Sequence, residues 1–163
     1  FSFFQFALND STFDEHMSYY DPRMFQSETY RLDSMVSRFN REYQKGQIYE
    51  VKNVYVTDVS PMVLDSGYYW NVVKTYIQMD IRFTDKYKDD PAMYFGAIRD
   101  KFGSNVTYDA PTRTFHIDDN YVYYSTTPKD TIDFKFLYTT FFQVKEFGNL
   151  ASFNTIRTLK GYE

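Results

Sequence analysis

From Tyr68 to Thr84 the chain reads Tyr-Tyr-Trp-Asn-Val-Val-Lys-Thr-Tyr-Ile-Gln-Met-Asp-Ile-Arg-Phe-Thr, an alternation longer than an ordinary strand. Val73, Ile77, Met79, Ile81 and Phe83 share one parity, and Lys74, Gln78, Asp80 and Arg82 the other. Period two with one apolar and one polar face predicts a strand of an antiparallel sheet covered on one side. A second alternation runs from Thr131 to Glu146. There Ile132, Phe134, Phe136, Tyr138, Phe142 and Val144 form the apolar parity, and Asp133, Lys135, Gln143 and Lys145 face away. The two strands predict the centre of one curved sheet.

Composition agrees with a sheet-rich fold: 17 Tyr and 17 Phe stand against one Trp, and large rings favour strands. A chain of 163 residues needs only one core. The net charge is −4 without a run of Lys or Arg, which argues against nucleic acid as a partner. Cysteine is absent, so disulfides, thiolate metal sites and cysteine nucleophiles are excluded together.

The beginning of the chain speaks to location. Phe1 to Leu8 is too short to span a bilayer and too apolar for an ordinary exposed end. Asp10, Asp14, Glu15 and Asp21 follow with no Lys or Arg before Pro22, the flank expected outside a membrane. Residues 1–20 are therefore read as a membrane-proximal or signal remnant with an acidic loop, ahead of one domain over 21–163. The expected setting is extracytoplasmic, periplasmic or cell surface, tethered through a segment preceding Phe1. Docking of the same rings on the sheet is the alternative, and it leaves the cytoplasm open.

Asp21-Pro22 supplies an N-cap and an N1 proline, predicting a helix to about Lys45 with Phe25, Leu32, Val36, Phe39 and Tyr43 on one stripe and Gly46 as its stop. Gln47 to Val59 follows as a strand with a bulge near Asn53. Asp90-Pro91 repeats the helix start, with Phe95, Ile98 and Phe102 as stripe and Gly103 as stop. A hairpin over 106–117, a turn at Asp118-Asp119-Asn120, a strand Tyr121 to Ser125 and a final strand from Ser152 to Leu159 complete the reading. The fold class is α+β: a long N-terminal helix and a short second one packed on a mainly antiparallel sheet.

In these helix caps, stripes and element order the chain resembles the NTF2-like superfamily, of cystatin-like architecture, whose helices pack into the concave side of a bent antiparallel sheet. Within it the chain looks like the VirB8-like components of bacterial type IV secretion systems. That resemblance implies a membrane helix before Phe1 and a structural role in secretion.

Signals for chemistry are sparse. Asp14-Glu15-His16 lacks a second cluster at metal-ligand spacing, so no metal and no cofactor is expected. His116 is read as a surface histidine, or as a base hydrogen-bonded to Asp118 or Asp119 in a pocket. Asp89-Asp90 and Asp118-Asp119 are read as a helix start and a turn. Nucleophile elbows, phosphate loops and dinucleotide fingerprints are absent. Asn9 and Asn105 begin N-glycosylation patterns, which matter only in a eukaryotic secretory protein.

The aromatic clusters remain. Alternation sends Tyr68 and Trp70 to the wet face, so Tyr68, Tyr69, Trp70, Tyr123 and Tyr124 are the expected interaction surface, since exposed Tyr and Trp suit partner contacts. The expected function is a non-enzymatic protein–protein interaction or scaffolding domain, with protein partners or its own copies, in a larger assembly. The alternative is a pocket enzyme or small-ligand-binding protein.

Overall fold

The structure, a computed structural model, describes residues 17–26, 31–138 and 150–163. It is α+β, with helices α1 (Leu32–Gln44), α2 (Phe95–Phe102) and α3 (Phe153–Lys160) and strands β1 (Gln47–Val59), β2 (Val63–Asp65), β3 (Tyr68–Phe83), β4 (Val106–Asp109), β5 (Thr114–Pro128) and β6 (Lys135–Tyr138). The strands form one open sheet in the order β1-β3-β5-β4, with β2 on β3 and β6 on β5. The long strand expected from Tyr68 is β3. Short 3-10 turns at Pro22–Gln26 and Pro91–Tyr94 complete the regular elements. The expectations at Phe1 to Leu8, at Asp14-Glu15-His16 and at Phe142 and Val144 lie outside the described residues.

The chain divides into two compact units, and β1, β3 and β5 contribute to both. The first contains Asp33–Tyr55 and Tyr76–Asn120. Its core holds Ile77, Ile81, Phe83, Ile98, Phe102, Val106, Phe115 and Ile117. Phe115 is the hub: its ring lies 4.5 Å from Tyr108, 5.9 Å from Phe83 and 6.2 Å from Phe95, centroid to centroid. The expected helix start at Asp90 is present, with Oδ1 accepting from the Ala92 amide at 3.0 Å and Pro91 in the first turn. The hairpin is present too, pairing Val106 with Ile117 and Tyr108 with Phe115. Phe102 is buried in this unit with Ile77 and Ile81; Val73, expected beside them, belongs to the other unit.

The second unit contains Met17–Leu32, Val56–Thr75 and Tyr121–Glu163. Its centre is Trp70, Tyr124, Met24, Val72, Leu137 and Leu159, all fully buried or nearly so. Asp21 is buried there as well. Its carboxylate pairs with Arg23 and accepts from Thr126 Oγ1 at 2.8 Å, while the Asp21 amide donates to the Phe136 carbonyl at 2.9 Å.

Several expectations are corrected. The helix from Asp21 does not run through to Lys45: Asp21 starts a 3-10 turn, with its Oδ1 accepting from the Arg23 amide, and Arg31 is non-helical before α1 begins. The alternation from Thr131 does not set burial as expected: Ile132 is 92% and Phe134 41% exposed, Phe136 is half-buried against Tyr123, and Leu137 is fully buried. Ile132 and Phe134 precede the paired strand, because β6 begins only at Lys135, where it pairs Phe136 with Ser125 and Leu137 with Tyr124. Asp118-Asp119-Asn120 makes no turn, as β5 runs unbroken from Thr114 to Pro128. Ser152 to Leu159 is helical rather than extended. The Ser152 hydroxyl caps it, accepting from the Thr155 amide at 3.3 Å, and Thr155 and Leu159 bury one face at a spacing of four.

Candidate functional site

The first unit carries a cleft of about 560 Å³. It is built from the last turn of α1, the start of β1, the length of α2, the end of β3 and the loop between Thr84 and Asp90. Gly46 fixes that loop. It sits at φ +99°, where a Cβ would collide with Thr84 Oγ1 and stand 3.0 Å from Lys86 Cβ. The Thr84 amide donates to the Gly46 carbonyl at 2.8 Å. Arg113 fastens the far side, its guanidinium donating to the carbonyls of Thr84 at 3.2 Å, Tyr87 at 2.9 Å and Asp89 at 3.1 Å. Lys86, Tyr87 and Lys88 are thereby held at the rim.

Five rings, Tyr49, Phe83, Tyr87, Tyr94 and Phe102, stand in its walls. Tyr87 packs edge-on to Phe83 at 4.6 Å and to Tyr94 at 6.1 Å, and Ile98 and Phe102 continue this surface along α2. Tyr49 closes another side, its oxygen accepting from Gln47 Nε2 at 2.6 Å. Burial pushes the Tyr49 hydroxyl pKa up. The Tyr87 hydroxyl is pushed up further, by burial first and then by hydrogen bonding to Tyr94, so both phenols stay protonated.

Charge is unevenly spread around the cleft. Lys45, Lys86, Lys88 and Lys101 line it against Glu42 and Asp89. Lys45 is within 3.7 Å of Glu42, and Asp89 accepts from the Tyr94 hydroxyl at 3.4 Å. The Lys101 ammonium lies 4.7 Å from the centre of the Phe102 ring. Burial, and then the neighbouring Arg38, hold the pKa of Lys101 below the ordinary lysine value.

His116 lies elsewhere in the same unit, in a shallow depression of about 340 Å³ lined also by Lys52, Gln78, Asp80 and Asp118. Its partner is neither Asp118 nor Asp119, as expected, but Asp80, with Nδ1 2.7 Å from Oδ1. Position 80 is far in sequence and adjacent across β3 and β5. Asp119 turns back on its own chain, accepting from the Asn120 amide at 2.8 Å. Lys52 adds 2.7 Å and 3.6 Å contacts to Glu50 and Asp80, so this is a charge-paired, solvated sheet face. Among the described residues no group of three His, Asp or Glu is placed to hold a metal ion.

The expected aromatic surface is not on the surface. Trp70 is 0% exposed, Tyr124 0% and Tyr123 6%, while Tyr68 and Tyr69 are half-buried. Alternation reports only one covering layer, and here the other parity is covered too. Arg23 lies over Tyr68 and Trp70, Lys74 Nζ donates to the Glu163 carbonyl at 2.8 Å, and the Tyr124 hydroxyl bonds the Glu163 carboxylate.

No sequence motif gathers the residues of the cleft. Lys86-Tyr87-Lys88, a ring between two cations just before a helix start, was its one local sign.

Comparison with protein-family models, curated proteins and solved structures finds no match to the chain. The resemblance to the NTF2-like superfamily therefore rests on element order and an α+β fold alone. No described helix is long and apolar enough to cross a membrane.

Proposed function

We propose that the chain is a binding domain that holds a small organic molecule in the cleft of its first unit. The observation that carries this reading is the cleft: about 560 Å³, in which rings and aliphatic side chains stand beside four lysines, Glu42, Gln47 and Asp89. Ligand sites combine that size, roughly 300–1,000 Å³, with mostly apolar walls and sparse polar groups. Such a ligand stabilises the folded state by an amount set by its concentration over Kd, about 2.7 kcal/mol at a hundredfold excess. A thermal-shift screen of a small-molecule library tests it. Hits should raise the melting temperature of the native protein and fail to do so in Ala97→Trp, which places an indole in the cleft from an exposed position. Hits that act equally on both proteins would refute the cleft as their site.

A second reading, the protein–protein interaction or scaffolding role in a tethered extracytoplasmic assembly such as a secretion system, has its own support. In the second unit Val56, Val59, Met62 and Leu64 are each about half exposed within nine residues of chain. Apolar side chains gathered this way suit a partner surface. Under this reading Val59→Lys with Met62→Lys abolishes association, with itself or with a partner, without loss of folding.

A further inference from the structure

The cationic excess of the cleft has a chemical consequence that rests on its being a ligand site. Three of its lysines, Lys86, Lys88 and Lys101, have no carboxylate within ion-pair distance among the described residues. The carboxylates that do line it are occupied: Glu42 by Arg41 at 3.3 Å and Lys45 at 3.7 Å, and Asp89 by the Tyr94 hydroxyl. Tyr49 contributes one more donor. Its oxygen accepts from Gln47, which leaves its own O–H available as a donor.

Two cations close together without a counter-ion disfavour one another. Arg38 and Lys101 stand in that relation, and the Tyr49 and Tyr87 phenols are neutral donors rather than competing anions. Around them the rings of Phe83, Tyr87 and Tyr94 meet edge to face, the packing that a further flat ring can join.

We propose that the cleft selects a planar aromatic acid, whose ring joins Tyr87, Tyr94 and Phe102 and whose anionic group is met by Lys101 with Lys86 or Lys88. A neutral ring would leave the cations unanswered, and a cationic one would be repelled. The anionic group is a carboxylate or a phosphate, since a lysine ammonium binds either as a point charge.

Three isosteric probes test this by calorimetry at low salt: naphthalene-2-carboxylate, 2-naphthalenemethanol and 2-naphthylmethylammonium, with naphthyl phosphate to separate the two anions. The acid should bind about tenfold more tightly than the alcohol, the value of one charged hydrogen bond, and the ammonium most weakly. Lys101→Met should narrow the gap between acid and alcohol to about threefold or less, and Lys101→Arg should restore it, both judged folded by thermal melt. An alcohol or ammonium that binds as well as the acid would overturn the charge selection and leave the cleft itself as a binding site. Anion preference that survives Lys101→Met unchanged would place the anion elsewhere and overturn the assignment. If no probe binds while library hits are lost in Ala97→Trp, the ligand class is wrong and the site stands.

Discussion

The guanidinium of Arg23 lies 3.8 Å from the centroid of the Tyr68 ring and 5.4 Å from that of Trp70, while its nitrogens pair with the buried Asp21 carboxylate. One side chain thus covers the parity of β3 that alternation assigns to solvent. Trp70 donates through Nε1 to the Asp65 carbonyl at 3.3 Å and is core. Trp70→Ala should cost about 3–5 kcal/mol, as large-to-small core changes do. Tyr68→Ala should cost less, since it loses a half-buried ring and a cation–π contact of about 0.5–2 kcal/mol. Urea unfolding of the two variants gives the order directly.

Asp21 carries a pH dependence. Burial raises its pKa, but hydrogen bonds from Arg23 and Thr126 and the Arg23 charge outweigh that and leave it below its ordinary value of 3.8. A carboxyl depressed on folding adds stability that is fully present above its unfolded pKa and is lost as pH falls through the folded one. The loss therefore begins below about pH 4. Asp21→Asn should flatten that limb of the stability profile and, by leaving Arg23 uncompensated, cost about 3–5 kcal/mol at neutral pH. Chemical denaturation from pH 2 to 7 measures both.

In the first unit, Phe102→Ala should cost about 3–5 kcal/mol, because its ring is buried at the end of α2. A change under about 1 kcal/mol in urea would mean that the ring is not part of that core.

Gly46 ties folding to the cleft. Any side chain there meets a left-handed backbone and a collision with Thr84, so Gly46→Ala should destabilise by about 1–2 kcal/mol from the backbone alone. It should also displace the loop carrying Lys86 and Tyr87, and so weaken ligand binding more than Val106→Ala, a core change outside the cleft, does at matched stability.

Legibility in the sequence followed the range of the interactions. Asp90-Pro91, Gly46 and the 106–117 hairpin were readable because caps and turns are settled by neighbours within a few positions. The long β3 was readable from its period. Burial was not, wherever distant chain supplied a second layer: Trp70 under Arg23, and Tyr124 beside Glu163, look exposed to a pattern that sees only one strand. Ser152 and the Thr155–Leu159 spacing did carry a helix signal, which a run of apolar and β-branched residues masked. The cleft was hidden for the same reason as the Asp80–His116 pair. Its residues come from positions 42 to 102 and share no motif, so only the folded chain brings them together.

Binding in the cleft is tested most directly by mapping amide chemical shifts during titration with naphthalene-2-carboxylate and with the hits of the thermal screen. Saturable shifts should concentrate at Tyr49, Tyr87, Tyr94 and Lys101 and vanish in Ala97→Trp. Shifts that gather instead on Val56, Val59, Met62 and Leu64, or that leave the cleft amides unmoved by every compound, would contradict a ligand site there.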